Sequence, residues 1–80
     1  MIKLTRHAKN NVKLYKIRLE DIEEVLEKAE IKDTEEDRYI AIKRIKRKFG
    51  NLPLKVVYMI ENDDKIIITA YPLRKTFKRR

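Results

Sequence analysis

Residues 54–71 read LKVVYMIENDDKIIITAY. Two runs rich in β-branched and aromatic residues flank Asn62, Asp63 and Asp64, residue types that favour tight turns. The spacing predicts a β-hairpin. Both arms are apolar at consecutive positions rather than at alternate ones, which is the pattern of strands covered on both faces. They are therefore expected at the centre of a sheet, with helices over one face and a different layer, the C-terminal tail or a partner chain, over the other.

Upstream, Gly50, Asn51 and Pro53 mark a turn. Before it, RYIAIKRIKRKF (residues 38–49) is rich in β-formers and partly alternating, so it reads as another strand. The acidic stretch KDTEEDRY (residues 32–39) carries no apolar periodicity and is expected to be a solvated loop. Leu19, Ile22, Val25, Leu26 and Ala29 recur at helical spacing, which predicts a helix over about 19–29 with Glu20, Asp21 and Glu23 in its first turns, where the helix dipole favours carboxylates. Ahead of it, Thr5 is a good N-cap for a helix over about 6–16, in which Ala8, Val12 and Tyr15 stack along one face. MIKL, apolar at Ile2 and Leu4, suits an edge strand. Pro72 ends the last strand. The order β-α-α-β-β-β predicts an α+β fold in which two N-terminal helices pack on a four-stranded, mostly antiparallel sheet.

Eighty residues make one domain, 1–80, with 73–80 as a basic tail. There are no cysteines and one histidine, so disulfides and Cys- or His-cluster metal sites are excluded and no cofactor is expected. No apolar run is long enough to span a membrane and no signal-peptide pattern opens the chain, which predicts a soluble, cytoplasmic protein. Serine, glutamine and tryptophan are missing while Lys, Glu and Ile abound, a bias similar to that of hyperthermophile proteins. Asp33, Glu35, Glu36 and Asp37 lack EF-hand spacing and read as a solvated acidic face rather than a cation site.

Net charge is +8, unevenly distributed. From Glu20 to Asp37 there are ten acidic residues against Lys28 and Lys32, a net of −8; the remainder holds 19 basic and three acidic residues, a net of +16. A polyanionic partner fits such asymmetry. The densest cations are Lys43, Arg44, Lys46, Arg47 and Lys48 on the predicted strand, and Arg74, Lys75, Lys78, Arg79 and Arg80 in the tail. These ten are the candidate nucleic-acid-binding residues. Strand alternation puts Lys43 and Arg47 on one face and Arg44, Lys46 and Lys48 on the other, so part of the cluster is expected on the open face of the sheet. Tyr39 and Ala41 share the side of Lys43, and Tyr58 and Tyr71 sit on neighbouring strands. Rings among cations suit single-stranded RNA, stacking bases and neutralising phosphates. A solvated edge strand whose lysines block aggregation is the competing reading.

LTRHA near the start, IRLEDIEEVLEKAE, RYIAIKRI and LPLKVVYMIENDDKIIITAYP together resemble a small, uncharacterised prokaryotic family related to the RelE/ParE toxins of toxin–antitoxin modules. The resemblance spans roughly residues 3–73; its most specific pieces are Thr-x-His-Ala and Thr-x-Tyr-Pro. It implies a RelE-like fold, RNA or the ribosome as partner, a cognate acidic antitoxin, and metal-independent mRNA cleavage as the activity of RelE members, whereas ParE members inhibit gyrase. Two arginines usual along the family's first helix are replaced here at Asn11 and Tyr15. Metal-free RNA cleavage needs a base for the 2′-hydroxyl, cations for the phosphorane charge and an acid for the leaving oxygen. The candidates are His7, Lys43, Arg74 and Tyr71, the last as a catalytic hydroxyl like that of some RelE relatives. His7 has two readings: a structural ring against the sheet, or a general base. A non-catalytic nucleic-acid-binding module and a protein-interaction module are the alternatives to an endoribonuclease.

Overall fold

The computed structural model describes residues 1–45 and 49–73. In chain order these form β1 (Ile2–Leu4), α1 (Arg6–Tyr15), α2 (Leu19–Lys28), β2 (Ile31–Glu35), β3 (Arg38–Arg44), a short turn of 3-10 helix (Phe49–Asn51), β4 (Pro53–Glu61) and β5 (Asp64–Pro72). The sheet has five strands in the order β1-β5-β4-β3-β2, with β1 parallel to β5 and the other pairs antiparallel. The α+β class and the helical pair agree with expectation; the strand count does not. The acidic stretch is not a loop. It forms β2, a two-residue turn at Glu36–Asp37 and the start of β3, with Glu35 opposite Arg38. From Lys32 to Tyr39 every residue of this hairpin is exposed, so the stretch is polar apart from Tyr39 and shows no alternation.

Each turn has a local cause. Asn62 and Asp63 adopt φ of 53° and 69°, the pair of left-handed conformations that a two-residue type I′ hairpin requires, and these residue types tolerate them. Gly50, at φ 59°, performs the reversal into β4. Thr5 caps α1, its hydroxyl accepting from the Ala8 N–H at 3.1 Å. α1 ends at Lys16, whose φ of 56° lets the Ile17 N–H reach back to the Val12 carbonyl at 2.9 Å. That left-handed turn drops Ile17 into the core and reverses the chain into α2. The Asp21 carboxylate accepts from the Arg18 N–H at 3.0 Å, closing the start of α2.

The core lies between the helices and one sheet face. Ala8, Ile17, Ile22, Val25 and Leu26 meet Ala41, Ile45, Leu54, Val56, Ile67 and Ala70. Full burial of each Ile, Leu or Val contributes about 1.5–3 kcal/mol. A β-bulge opposite Val57 and Tyr58 inserts Ile68 as an extra residue in β5. β1 pairs only with residues 65–67 of β5. Beyond it, the exposed backbone edge of β5 is closed by side chains: the Thr5 hydroxyl donates to the Ile68 carbonyl at 3.0 Å, and Asn11 Nδ2 donates to the Ala70 carbonyl at 3.2 Å and Thr69 Oγ1 at 2.9 Å. Asn11 thus has a structural task at one of the positions where the family resemblance expects arginine. Among the described residues no helix is long and apolar enough to cross a membrane.

Candidate nucleic-acid interface

β3 decides which cations face which way. Ala41 is buried against the helices, so Tyr39, Ala41 and Lys43 line the helix-facing side, not the open one. Lys43 sits at the rim of α2, 18% exposed, with its ammonium 2.8 Å from Glu24 Oε2. It also donates to the Arg44 carbonyl at 3.1 Å. Of the two faces that strand alternation offers, the open one is therefore that of Arg44, and Lys43 and Tyr39 lie on the other. The small Ala41 is what lets α2 settle there, whereas Ile40 and Ile42 point to the other side. Arg44 is exposed on that other side, and its N–H donates to Glu30 Oε1 at 3.3 Å.

The sheet register sets out the open face. Ile31, Ile42, Lys55 and Tyr71 lie side by side across β2, β3, β4 and β5. Ile42 is 4% exposed although it lies opposite the helices. The Lys55 ammonium sits over the Tyr71 ring, 5.7 Å from its centroid. Arg44 pairs with Pro53, two residues before Lys55, so its cation lies on the same face, one strand beyond Lys55 from the Tyr71 ring. Lys55 was not among the residues singled out from the sequence. Its signal was available: it is the one charged residue inside the apolar run of β4 before Glu61.

Both basic segments begin at this end of the sheet. Arg44 leads toward one, and Leu73, whose N–H donates to the Pro53 carbonyl at 2.8 Å, leads into the other. Lys46, Arg47, Lys48, Arg74, Lys75, Lys78, Arg79 and Arg80 lie outside the described residues.

The three described catalytic candidates are not brought together. His7 is exposed on the first turn of α1, in the helical layer, rather than tucked against the sheet. Lys43 faces α2, and Tyr71 is on the opposite side of the sheet. Tyr39 and Tyr58 do meet, as a cross-strand pair with ring centroids 5.4 Å apart and planes inclined by 23°. Burial, and secondarily Tyr39, raises the pKa of Tyr58 above that of an ordinary phenol. With Lys32, Asp33, Thr34 and Ile40 these tyrosines line a shallow cavity of about 360 Å³ beside the β2–β3 hairpin.

Residues 4–72 match the sequence profile of a family described as a domain of unknown function, DUF4258. No curated protein and no solved structure matches the chain.

Proposed function

The chain belongs to the DUF4258 family, and from that premise we propose that it is an RNA-binding relative of the RelE toxins which grips single-stranded RNA rather than cutting it. The observation that supports this reading is the grouping of Arg44, Lys55 and Tyr71 on the open sheet face, at the end from which both basic segments depart. A ring with a cation over it and a second cation further along the same face offers a stacking platform for a base and neutralisation for neighbouring phosphates. Binding without cleavage is favoured because His7, Lys43 and Tyr71 occupy three separate surfaces. A general base must come within hydrogen-bond reach of the proton it removes.

The test is fluorescence anisotropy of a labelled single-stranded RNA with the full chain across a salt series, together with mapping of transcript ends after induced expression in a bacterial host. Saturable binding that weakens with salt, and that falls at least about tenfold in the Tyr71→Ala/Lys55→Ala double variant, is the expected result. Absence of RNA binding at low salt overturns the reading. New transcript ends that disappear in His7→Ala would establish a ribonuclease instead. A RelE-like kinship also brings an acidic antitoxin as a candidate partner, and co-purification with the product of a neighbouring gene would reveal one.

A further inference from the structure

We propose that the solvent face of α1 is a second RNA contact, a cationic ridge that holds the phosphodiester backbone while Tyr71 takes a base; this rests on the RNA-binding reading above. Arg6, Lys9 and Lys13 of α1 and its capping residue Lys16 follow at spacings of three, four and three residues. A 3.6-residue turn lines up such positions in one stripe. All four are exposed, and none has an ion-pair partner among the described residues. α1 carries no acidic residue. The stripe runs for about 15 Å at 1.5 Å per residue.

Two details of α1 run against its own stability and so point to a use. Arg6 occupies the first turn, where the helix dipole disfavours a cation, and no carboxylate offsets it there. Lys16 holds a left-handed conformation that glycine adopts without strain. Local choices that oppose the fold concentrate at functional surfaces.

The chemistry of the ridge selects among polyanions. An anionic membrane would need the apolar side of a helix for insertion, but Ala8, Val12 and Tyr15 are packed in the domain. A protein partner would need apolar anchors in the centre of the patch, and the stripe has only Leu14 at its flank. A backbone of phosphates needs cations alone. Placement supports the pairing with Tyr71. α1 runs beside β5, Thr5 against Ile67 and Ile68 and Asn11 against Thr69 and Ala70. Its Lys13–Lys16 end therefore lies toward the Tyr71 end of the sheet, on the opposite face, so an RNA strand that uses both passes around the β5 edge.

The experiment compares three full-length proteins by RNA anisotropy over a salt series: the unaltered chain, Arg6→Gln/Lys9→Gln/Lys13→Gln, and a control that removes equal charge elsewhere, Lys28→Gln/Lys32→Gln/Lys65→Gln. Circular dichroism melts confirm that each is folded, and a ridge variant that fails to melt cooperatively is replaced by the conservative Lys9→Gln/Lys13→Gln. The ridge variant is expected to lose at least about tenfold in affinity near 0.1 M salt and to reduce the slope of log K against log salt by about 2 to 3, one phosphate contact per cation. The control keeps most of both. If the unaltered chain binds RNA and the ridge variant binds equally well, or the control loses as much, the ridge is overturned and the RNA-binding reading stands. If the unaltered chain ignores RNA and is retained instead on phosphatidylserine vesicles, both are overturned.

Discussion

α1 and α2 are each ten residues long and lie side by side on the same sheet, yet they are built differently. α2 buries Asp21, Ile22, Val25 and Leu26, and its outer face is acidic, with Glu20, Glu23, Glu24 and Glu27 against Lys28. α1 buries only Ala8 and shows water an unbroken basic face. α2 is anchored by its apolar stripe and has carboxylates at its N-terminal turn, where the dipole favours them. α1 is anchored by hydrogen bonds from Thr5 and Asn11 and begins with a cation. The contrast teaches that the two helices divide the charge of their layer: α2 buries an apolar stripe under an acidic face, and α1 exposes a basic one.

The largest break in this comparison is Ile22→Ala. It removes a fully buried side chain of α2 and is expected to cost about 2–5 kcal/mol, a large share of the stability of a small domain, measured by urea denaturation. Next comes Thr5→Ala, which removes the cap of α1 and the hydroxyl donated to the Ile68 carbonyl together. A loss of about 1–2 kcal/mol is expected, and an effect below a few tenths would show that α1 does not depend on this anchor. Lys16→Gly works in the opposite direction: relief of the left-handed conformation should stabilise the domain by about 1 kcal/mol while weakening RNA binding. Arg6→Glu sharpens the same opposition, with a gain of about 0.3–1 kcal/mol from the dipole and a loss of RNA affinity. A stabilised variant that binds RNA as well as the unaltered chain would remove the argument that α1 is tuned for a partner.

The smallest effect concerns pH. A hydrogen bond from Lys3, with help from the amino terminus, holds the Asp64 carboxyl below the usual carboxylate range. A carboxyl whose pKa is lower in the folded state contributes stability above its unfolded pKa and loses it as pH falls through the folded value. Asp64 is therefore expected to contribute at neutral pH and to cease contributing in acid. Asp64→Asn should flatten the acid limb of a Tm-against-pH profile slightly and leave its neutral-to-alkaline shape alone.

Much of this architecture was legible in the residues. The β4–β5 hairpin declares itself because both arms are apolar and the turn uses Asn62 and Asp63, which tolerate positive φ. The helix ends are marked by Thr5 and by the apolar stripe of α2. The β2–β3 hairpin was not legible: its residues 32–39 are all exposed, and its turn uses Glu36 at φ 57° where a glycine or asparagine would have signalled it. The facing of Lys43 was hidden for another reason. Alternation groups Tyr39, Ala41 and Lys43 but does not say which side the helices cover, and Ile40 and Ile42 advertise the wrong one. Packing turned on the small side chain. The grouping of Arg44, Lys55 and Tyr71 depends on strand register across three strands, which no local pattern encodes. The α1 ridge was legible by spacing, but its cations are outnumbered by denser basic runs later in the chain.

The closing of the β5 edge by Thr5 and Asn11 has a consequence for how copies of the domain can meet. A sheet grows by adding strands at bare edges. On one side the β5 acceptors beyond β1 are already occupied by α1, which leaves the three residues of β1 as the outer edge. On the other side β2 is the last strand among the described residues, and its edge carries the charges of Lys32, Asp33 and Glu35. The longer of the two edges is thus the more charged one, five residues in β2 against three in β1. Charge on β2 therefore opposes the pairing of copies through that edge.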